Sequence, residues 1–215
     1  MNIFAAGQPA LVEDLHLICI AAGYTLNPDL PVDAIIDLHL SDLVAKRHLI
    51  ENIAAELIFT TAVPCSATEA ASWAVNPTKV VGISPIIGNM VELAPALQTA
   101  PEVLNRAEEF LTGIGLEVVR VSDGPGLVRM RTLCCIINEA LTALAAGTAS
   151  AKDIDTALKL GANYPIGPIE WADNLTPEVV LAVMRALQYE YGEDRYRPAP
   201  LLMRKVWAKQ NFLAE

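Results

Sequence analysis

The feature that most constrains the fold is an alternation of strand-like and helix-like stretches that stops near residue 121. Short β-favouring apolar runs, such as 2–6 and 33–38, are separated by stretches with helical apolar spacing, such as 11–22 and 43–55. This alternation predicts a parallel sheet wrapped by right-handed crossovers. The same patterns predict further strands at 24–26, 57–61, 79–83 and 117–121, and further helices at 68–75 and 102–114.

After the turn cluster DGPG (123–126) the pattern is helical only. Helices are predicted at 128–146, from about residue 150, and at 177–191. The sequence therefore predicts an α/β fold in two domains. Residues 1–121 form a shortened Rossmann-like domain with a parallel sheet, and residues 122–215 form an all-α domain.

Composition and charge exclude several classes of protein. The formal charge is -10, which disfavours nucleic-acid binding because Lys and Arg must neutralise phosphates. No apolar run reaches the roughly 20 residues of a membrane span, and the N-terminus has acids at Glu13 and Asp14 in place of a basic leader. The four cysteines lack metal-ligand spacing. We expect a cytoplasmic protein with reduced thiols, no metal and no membrane segment.

The loop after the first strand is the candidate phosphate-binding site. A dinucleotide fingerprint needs G-x-G-x-x-G there, but the chain has AAGQPA (5–10), in which Gly7 is the single glycine. Ala10 stands at the last position, where Ala is tolerated, and Pro9 removes one N–H from the helix start. Asn27 stands where an acid would bind the ribose. Gly7, Ala10 and Asn27 are thus candidate NAD contacts, and the residues themselves favour a purely structural turn.

Ordered blocks in the second half resemble the C-terminal domain of the 3-hydroxyacyl-CoA dehydrogenase family. The blocks are DGPGLVRMR (123–131), NEA (138–140), GTASAKDID (147–155), KLG (159–161), YPIGP (164–168) and RYRPAPLL (195–202). The first half resembles the same family in AIIDLHLSDLVAKR (34–47) and VVGI (80–83). The family has a helix, a strand and a coenzyme-A-gripping helical hairpin between the positions of Leu26 and Asp33, and this chain has only the short stretch 27–32 there.

The resemblance implies which residues occupy the family's active-site positions. Ser84 stands where the family has its catalytic histidine, and Glu92 matches the glutamate that orients that histidine. A serine hydroxyl cannot replace imidazole as a proton carrier near neutral pH. The substrate-binding serine and the helical-domain asparagine are replaced by Val63 and Met130. Lys46 matches a lysine that contacts NAD, and we expect it on an exposed helix face.

Three hypotheses for the function remain open from the sequence. The first, favoured by the lost polar groups, is a non-catalytic family member that acts through binding or assembly. The second is a divergent NAD-dependent dehydrogenase with a rebuilt active site, in which His39, after the third strand, would act as the base. The third is a small-molecule binder that uses the cleft around Gly7, Lys46 and Ser84.

The resemblance also implies partners. In the family the helical domain forms the dimer interface, so we expect a homodimer through that domain. Assembly with an active paralogue and binding of an acyl-CoA are further expectations.

Overall fold

The chain forms two compact units, Met1–Val128 and Arg129–Glu215. The computed structural model describes residues 2–26, 32–85 and 88–213. Within these residues no helix is both long enough and apolar enough to cross a bilayer.

The described part of the first unit contains a seven-stranded sheet flanked by helices. Its strands follow the order β2-β1-β3-β4-β5-β6-β7. The strands are β1 (Asn2–Gly7), β2 (Thr25–Leu26), β3 (Ala34–Leu38), β4 (Leu57–Thr61), β5 (Val80–Ile83), β6 (Met90–Pro95) and β7 (Glu117–Arg120). The helices are α1 (Pro9–Ala21), α2 (Leu43–Asn52), α3 (Ala67–Ala71) and α4 (Pro101–Gly113). The predicted α/β architecture is therefore confirmed.

One strand departs from the predicted parallel sheet. β6 pairs antiparallel with β5, whereas the other pairs are parallel. Residues 84–89 alone separate β5 from β6, and a parallel pair needs a crossover of a dozen or more residues. β6 was not predicted, because MVELAP carries an acid and a proline within a short apolar run.

The central strands form the core of this unit. Every residue of β3 and β4 is buried, as expected for strands covered on both faces. Phe59 of β4 meets Phe110 of α4 at a ring-centroid distance of 5.4 Å, and Tyr24 packs edge-on against Phe110 at 5.3 Å. These contacts fix α4 on one face of the sheet.

The turn at 123–126 belongs to the first unit. The Asp123 carboxylate accepts hydrogen bonds from the backbone N–H groups of Ala67 (2.8 Å) and Thr68 (2.7 Å), which are the first residues of α3. The N–H of Gly126 donates to the Ala62 carbonyl after β4. These bonds tie the turn to the first unit, which ends at Val128, seven residues beyond the boundary predicted at 121/122.

The described residues of the second unit form helices and connecting turns. The helices are α5 (Arg129–Ala145), α6 (Ala151–Ala162), α7 (Pro168–Leu175), α8 (Pro177–Tyr191) and α9 (Pro200–Ala208). The Asp155 carboxylate on α6 accepts hydrogen bonds from the N–H groups of Ile169 (2.8 Å) and Glu170 (3.1 Å), which satisfies the start of α7. The Asn138 amide accepts a hydrogen bond from the Ala199 N–H at 2.7 Å, before α9. The first N–H groups of α7 and α9 are thus bonded by side chains of the longer helices α6 and α5.

Gly7 is required by the packing at the end of β1. Its φ is +141°, and a Cβ built on it would lie 2.2 Å from the carbonyl carbon of Leu38 in β3. The next residue, Gln8, donates its N–H to the Leu38 carbonyl oxygen at 3.2 Å. The close approach of two strand ends therefore accounts for this glycine.

Replacing Gly7 with Ala tests this constraint. We expect Gly7→Ala to lower the free energy of unfolding by about 3 kcal/mol, through backbone strain and the collision with Leu38. Gly161→Ala is the control, because Gly161 lies within α6 and a Cβ there would meet nothing within 4 Å. This control should raise stability by about 0.5–1 kcal/mol. Urea unfolding measures both, and two changes of the same sign would contradict the assignment.

Candidate functional site

The candidate site lies at the carboxyl edge of the sheet. In open α/β sheets ligands bind at this edge, where the strand order reverses. The reversal occurs at β1, which lies between β2 and β3. Gly7 ends β1, His39 directly follows β3, and Ser84 directly follows β5. Three of the candidate residues therefore lie along one edge.

A buried lysine joins three elements at this edge. The side chain of Lys46 on α2 is 0% exposed. Its ammonium donates to the Asp37 carboxylate of β3 and, at 2.9 Å, to the Thr60 hydroxyl of β4. It also donates to the carbonyl oxygen (2.9 Å) and hydroxyl (3.1 Å) of Thr61. The exposed position predicted for Lys46 is wrong. The lysine side chain faces the sheet, where its ammonium pairs with the buried carboxylate of Asp37.

The charges of Lys46 and Asp37 stabilise each other. Burial alone raises the pKa of Asp37, but the Lys46 ammonium and hydrogen bonds from His39, Lys46 and Thr60 hold that pKa below its ordinary value. An ammonium has three donor hydrogens, and the contacts inside the protein use them. The Lys46 ammonium is therefore bonded inside the protein, and its role as a cofactor contact stays a prediction.

Asp37 also anchors His39. Nδ1 of His39 lies 2.6 Å from Oδ1 of Asp37, and the His39 backbone N–H donates to the same oxygen at 3.1 Å. The hydroxyl of Thr61 donates to the His39 carbonyl oxygen at 2.8 Å. The His39 side chain is 18% exposed, whereas Asp37 is fully buried. A carboxylate thus orients an imidazole that reaches the surface, an arrangement that suits acid–base chemistry.

Asp37, the residue that bonds to both Lys46 and His39 at this edge, was not among the predicted site residues. The available signal was a lone acid inside the apolar run AIIDL, nine residues before a lysine. A charge at such a position needs a buried partner. The other two histidines, His16 and His48, lie exposed on α1 and α2.

Ser84, directly after β5, and Glu92 of β6 are neighbours. The Ser84 N–H donates to the Glu92 carbonyl oxygen at 3.1 Å, and the Glu92 N–H donates to the Ser84 hydroxyl at 2.9 Å. Both residues are buried, Ser84 at 1% exposure and Glu92 at 5%. The Ser84 hydroxyl therefore continues the pairing of the two strands and is withdrawn from solvent.

The remaining predicted positions contribute less to the edge. Ala10 is exposed in the first turn of α1, and Asn27 lies outside the described residues. Val63 and Met130 are buried apolar side chains. Over the described ranges, no group of three or more His, Cys, Asp or Glu residues could hold a metal ion.

These features define a class of protein: a reduced dinucleotide-type α/β unit followed by a helical unit. The model of the 3-hydroxyacyl-CoA dehydrogenase C-terminal domain matches residues 126–212. The chain is 35% identical over 188 residues to a 3-hydroxybutyryl-CoA dehydrogenase of Clostridioides difficile, covering 83% of this chain and 67% of that protein. It is 40% identical over 133 residues to the 3-hydroxyadipyl-CoA dehydrogenase of Escherichia coli, covering 62% of this chain but 28% of that protein.

The chain belongs to the 3-hydroxyacyl-CoA dehydrogenase family. A crystal structure of (S)-3-hydroxybutyryl-CoA dehydrogenase from Ralstonia eutropha has the same fold, with a TM-score of 0.82 at 24% identity over 97% of this chain and 94% of that one. The chain spans about two thirds of the C. difficile enzyme and under a third of the E. coli enzyme.

Removing the Lys46 ammonium tests its structural role. Lys46→Met should lower the free energy of unfolding by about 3–5 kcal/mol, because Asp37 stays buried without its partner. Lys79→Met is the control, since Lys79 pairs with the exposed Glu56 at 2.7 Å and should lose much less. Thermal and urea unfolding would show the difference. Equal losses would mean that Lys46 is not the anchor of this edge.

Proposed function

We propose that this chain is a non-catalytic member of its family that acts through binding or assembly. The observation that carries the proposal is the state of Ser84. By resemblance this is the position of the family's catalytic histidine, and here its hydroxyl is buried and accepts the Glu92 N–H at 2.9 Å. A serine in a strand-to-strand hydrogen bond cannot shuttle a proton to a hydroxyl or carbonyl substrate near neutral pH.

The cofactor loop supports the same proposal. The described residues fit an NAD cofactor poorly, because Pro9 at the start of α1 has no N–H to offer a phosphate. The Gly7 position is explained by packing against Leu38, and the Lys46 ammonium is enclosed. We therefore derive no reaction step through NAD or an acyl-CoA. A cytoplasmic location stays a prediction.

For the assembly role, we propose a homodimer through the helical unit or a mixed assembly with an active paralogue. The resemblance supports the first, because it includes the helical half, which forms the dimer interface in the family. The matching helical half together with the replaced active-site residues supports the second. The E. coli relative is more than twice as long as this chain, and its 133 matching residues are 28% of that enzyme. A stretch like this one thus occurs inside a larger enzyme.

Turnover by the pure protein is the first measurement. We expect no oxidation of NADH with acetoacetyl-CoA above background, and no NADH binding by calorimetry in the same buffer. The physical reason is the absence of a proton carrier at Ser84 and of a phosphate-binding loop around Gly7. Turnover would overturn the proposal, whereas NADH binding without turnover would favour the ligand-binding hypothesis.

A second candidate function is a dehydrogenase with a rebuilt site, favoured by the contact between Asp37 and His39 at 2.6 Å. A carboxylate-oriented imidazole at the ligand-binding edge could take the proton that Ser84 cannot. If turnover is found, His39→Ala should remove it by about 100-fold or more. His48→Ala is the control, because His48 is exposed on α2. Activity that survives His39→Ala would exclude this rebuilt site.

A further inference from the structure

Two arginines and two tyrosines of the second unit are stacked on one another. The guanidinium carbon of Arg131 lies 4.5 Å from the ring centroid of Tyr191 and 5.3 Å from that of Tyr196. The guanidinium carbon of Arg195 lies 4.7 Å from the ring centroid of Tyr196. We call these four residues the Arg131 cluster. It connects the first turn of α5 to the last residue of α8 and to the turn that follows α8.

The tyrosine hydroxyls hold the Arg131 guanidinium in one orientation. Nη1 of Arg131 donates to the Tyr191 hydroxyl at 3.3 Å, and Nη2 donates to the hydroxyl of the buried Tyr196. A guanidinium has five N–H donors in a planar fork. Over the described residues these two hydroxyls are its hydrogen-bond acceptors, so three N–H donors stay available to a ligand.

The two arginines of the cluster differ in their charge partners. Nε of Arg195 lies 2.7 Å from Oε2 of Glu193, and Nη2 of Arg195 donates to Oε1 of Glu193 at 3.1 Å. In the part of the chain that the structure describes, no carboxylate forms an ion pair with Arg131. Arg131 is nevertheless partly buried. Charges withdrawn from water are generally paired, so this guanidinium is preorganised to receive an anion.

We propose that Arg131 binds the carboxylate of a small organic acid. The planar fork of a guanidinium fits the two oxygens of a carboxylate. A single carboxylate neutralises the one unpaired charge of the cluster, whereas a phosphate monoester carries about two negative charges near neutral pH and would leave one in excess. The Tyr191 side chain is 36% exposed, so its ring can contact the body of the acid.

This site is separate from the residues on which the proposed function rests. Its four residues belong to the second unit, whereas Gly7, Lys46 and Ser84 belong to the first. Binding of a carboxylate at Arg131 therefore goes beyond the proposed function and does not require the chain to be inactive.

Calorimetric titration with sodium benzoate tests the site. Benzoate should bind to the unmodified chain, whereas benzamide, which has a similar shape without the charge, should not. Arg131→Gln should weaken benzoate binding at least about tenfold, because the charge-assisted hydrogen bonds are lost. Arg185→Gln is the matched control, since Arg185 is an exposed arginine of α8. It should bind benzoate like the unmodified chain.

Three results of this titration would overturn the proposal. The first is an unmodified chain that does not bind benzoate. The second is an equal loss of binding in Arg131→Gln and Arg185→Gln. The third is binding of inorganic phosphate in preference to benzoate, with the phosphate binding lost in Arg131→Gln, because the site would then select a different class of anion.

Cys135 provides a second measurement that leaves Arg131 in place. It is four residues after Arg131 on α5, so the two side chains share one helix face. Burial raises the pKa of the Cys135 thiol, and the nearby guanidiniums of Arg131 and Arg195 act in the opposite direction. Cys135 is partly exposed, whereas Cys19, Cys65 and Cys134 are buried. An uncharged thiol reagent should therefore report on the Arg131 cluster.

Alkylation by iodoacetamide, followed by mass spectrometry, measures this protection. Benzoate at about ten times its Kd should slow the alkylation of Cys135 about tenfold, because the occupied site covers the thiol. Benzamide at the same concentration should not change the rate. Cys135→Ser is the control that identifies the alkylated residue. Equal rates with and without benzoate would contradict a carboxylate site at Arg131.

Discussion

The buried pair of Lys46 and Asp37 is the interaction on which the carboxyl edge of the sheet depends. It connects α2 to β3 and, through Thr60 and Thr61, to β4. Two charges withdrawn from water persist only as a satisfied pair, so these elements are held in one arrangement. The same carboxylate positions His39. The interaction that stabilises the fold therefore also holds the His39 imidazole at the carboxyl edge of the sheet.

The described polar residues at this edge bond to one another and to the backbone of the protein. Ser84 and Glu92 still face each other across two strands, but their contact is a strand-pairing hydrogen bond. The glycine of the first loop still marks a strand-to-helix turn, but the close strand β3 accounts for it. Packing and hydrogen bonding therefore explain the positions of Gly7, Ser84 and Glu92 in the fold.

Elements with a strong local pattern could be predicted from the sequence. β4 at Leu57–Thr61 and α8 at Pro177–Tyr191 have the predicted bounds. β6, α7 and α9 were not predicted, because their sequences are short and mixed. β6 is held by pairing with strands on both sides, and α7 begins where Asp155 of another helix accepts its first N–H groups. Their stability comes from partners distant in sequence, which no local pattern contains.

The sequence alone determined the alternation of strands and helices in the first half and the helical second half, since these follow from residue identity and periodicity. The tertiary structure decided what the remaining polar residues do. It buried Lys46, which the helix pattern had placed in solvent, and it gave His39 the carboxylate of Asp37. The physical reason is that a side chain's charge partner and exposure depend on which strands and helices meet, and folding alone brings residues 37, 46 and 60 within hydrogen-bonding distance.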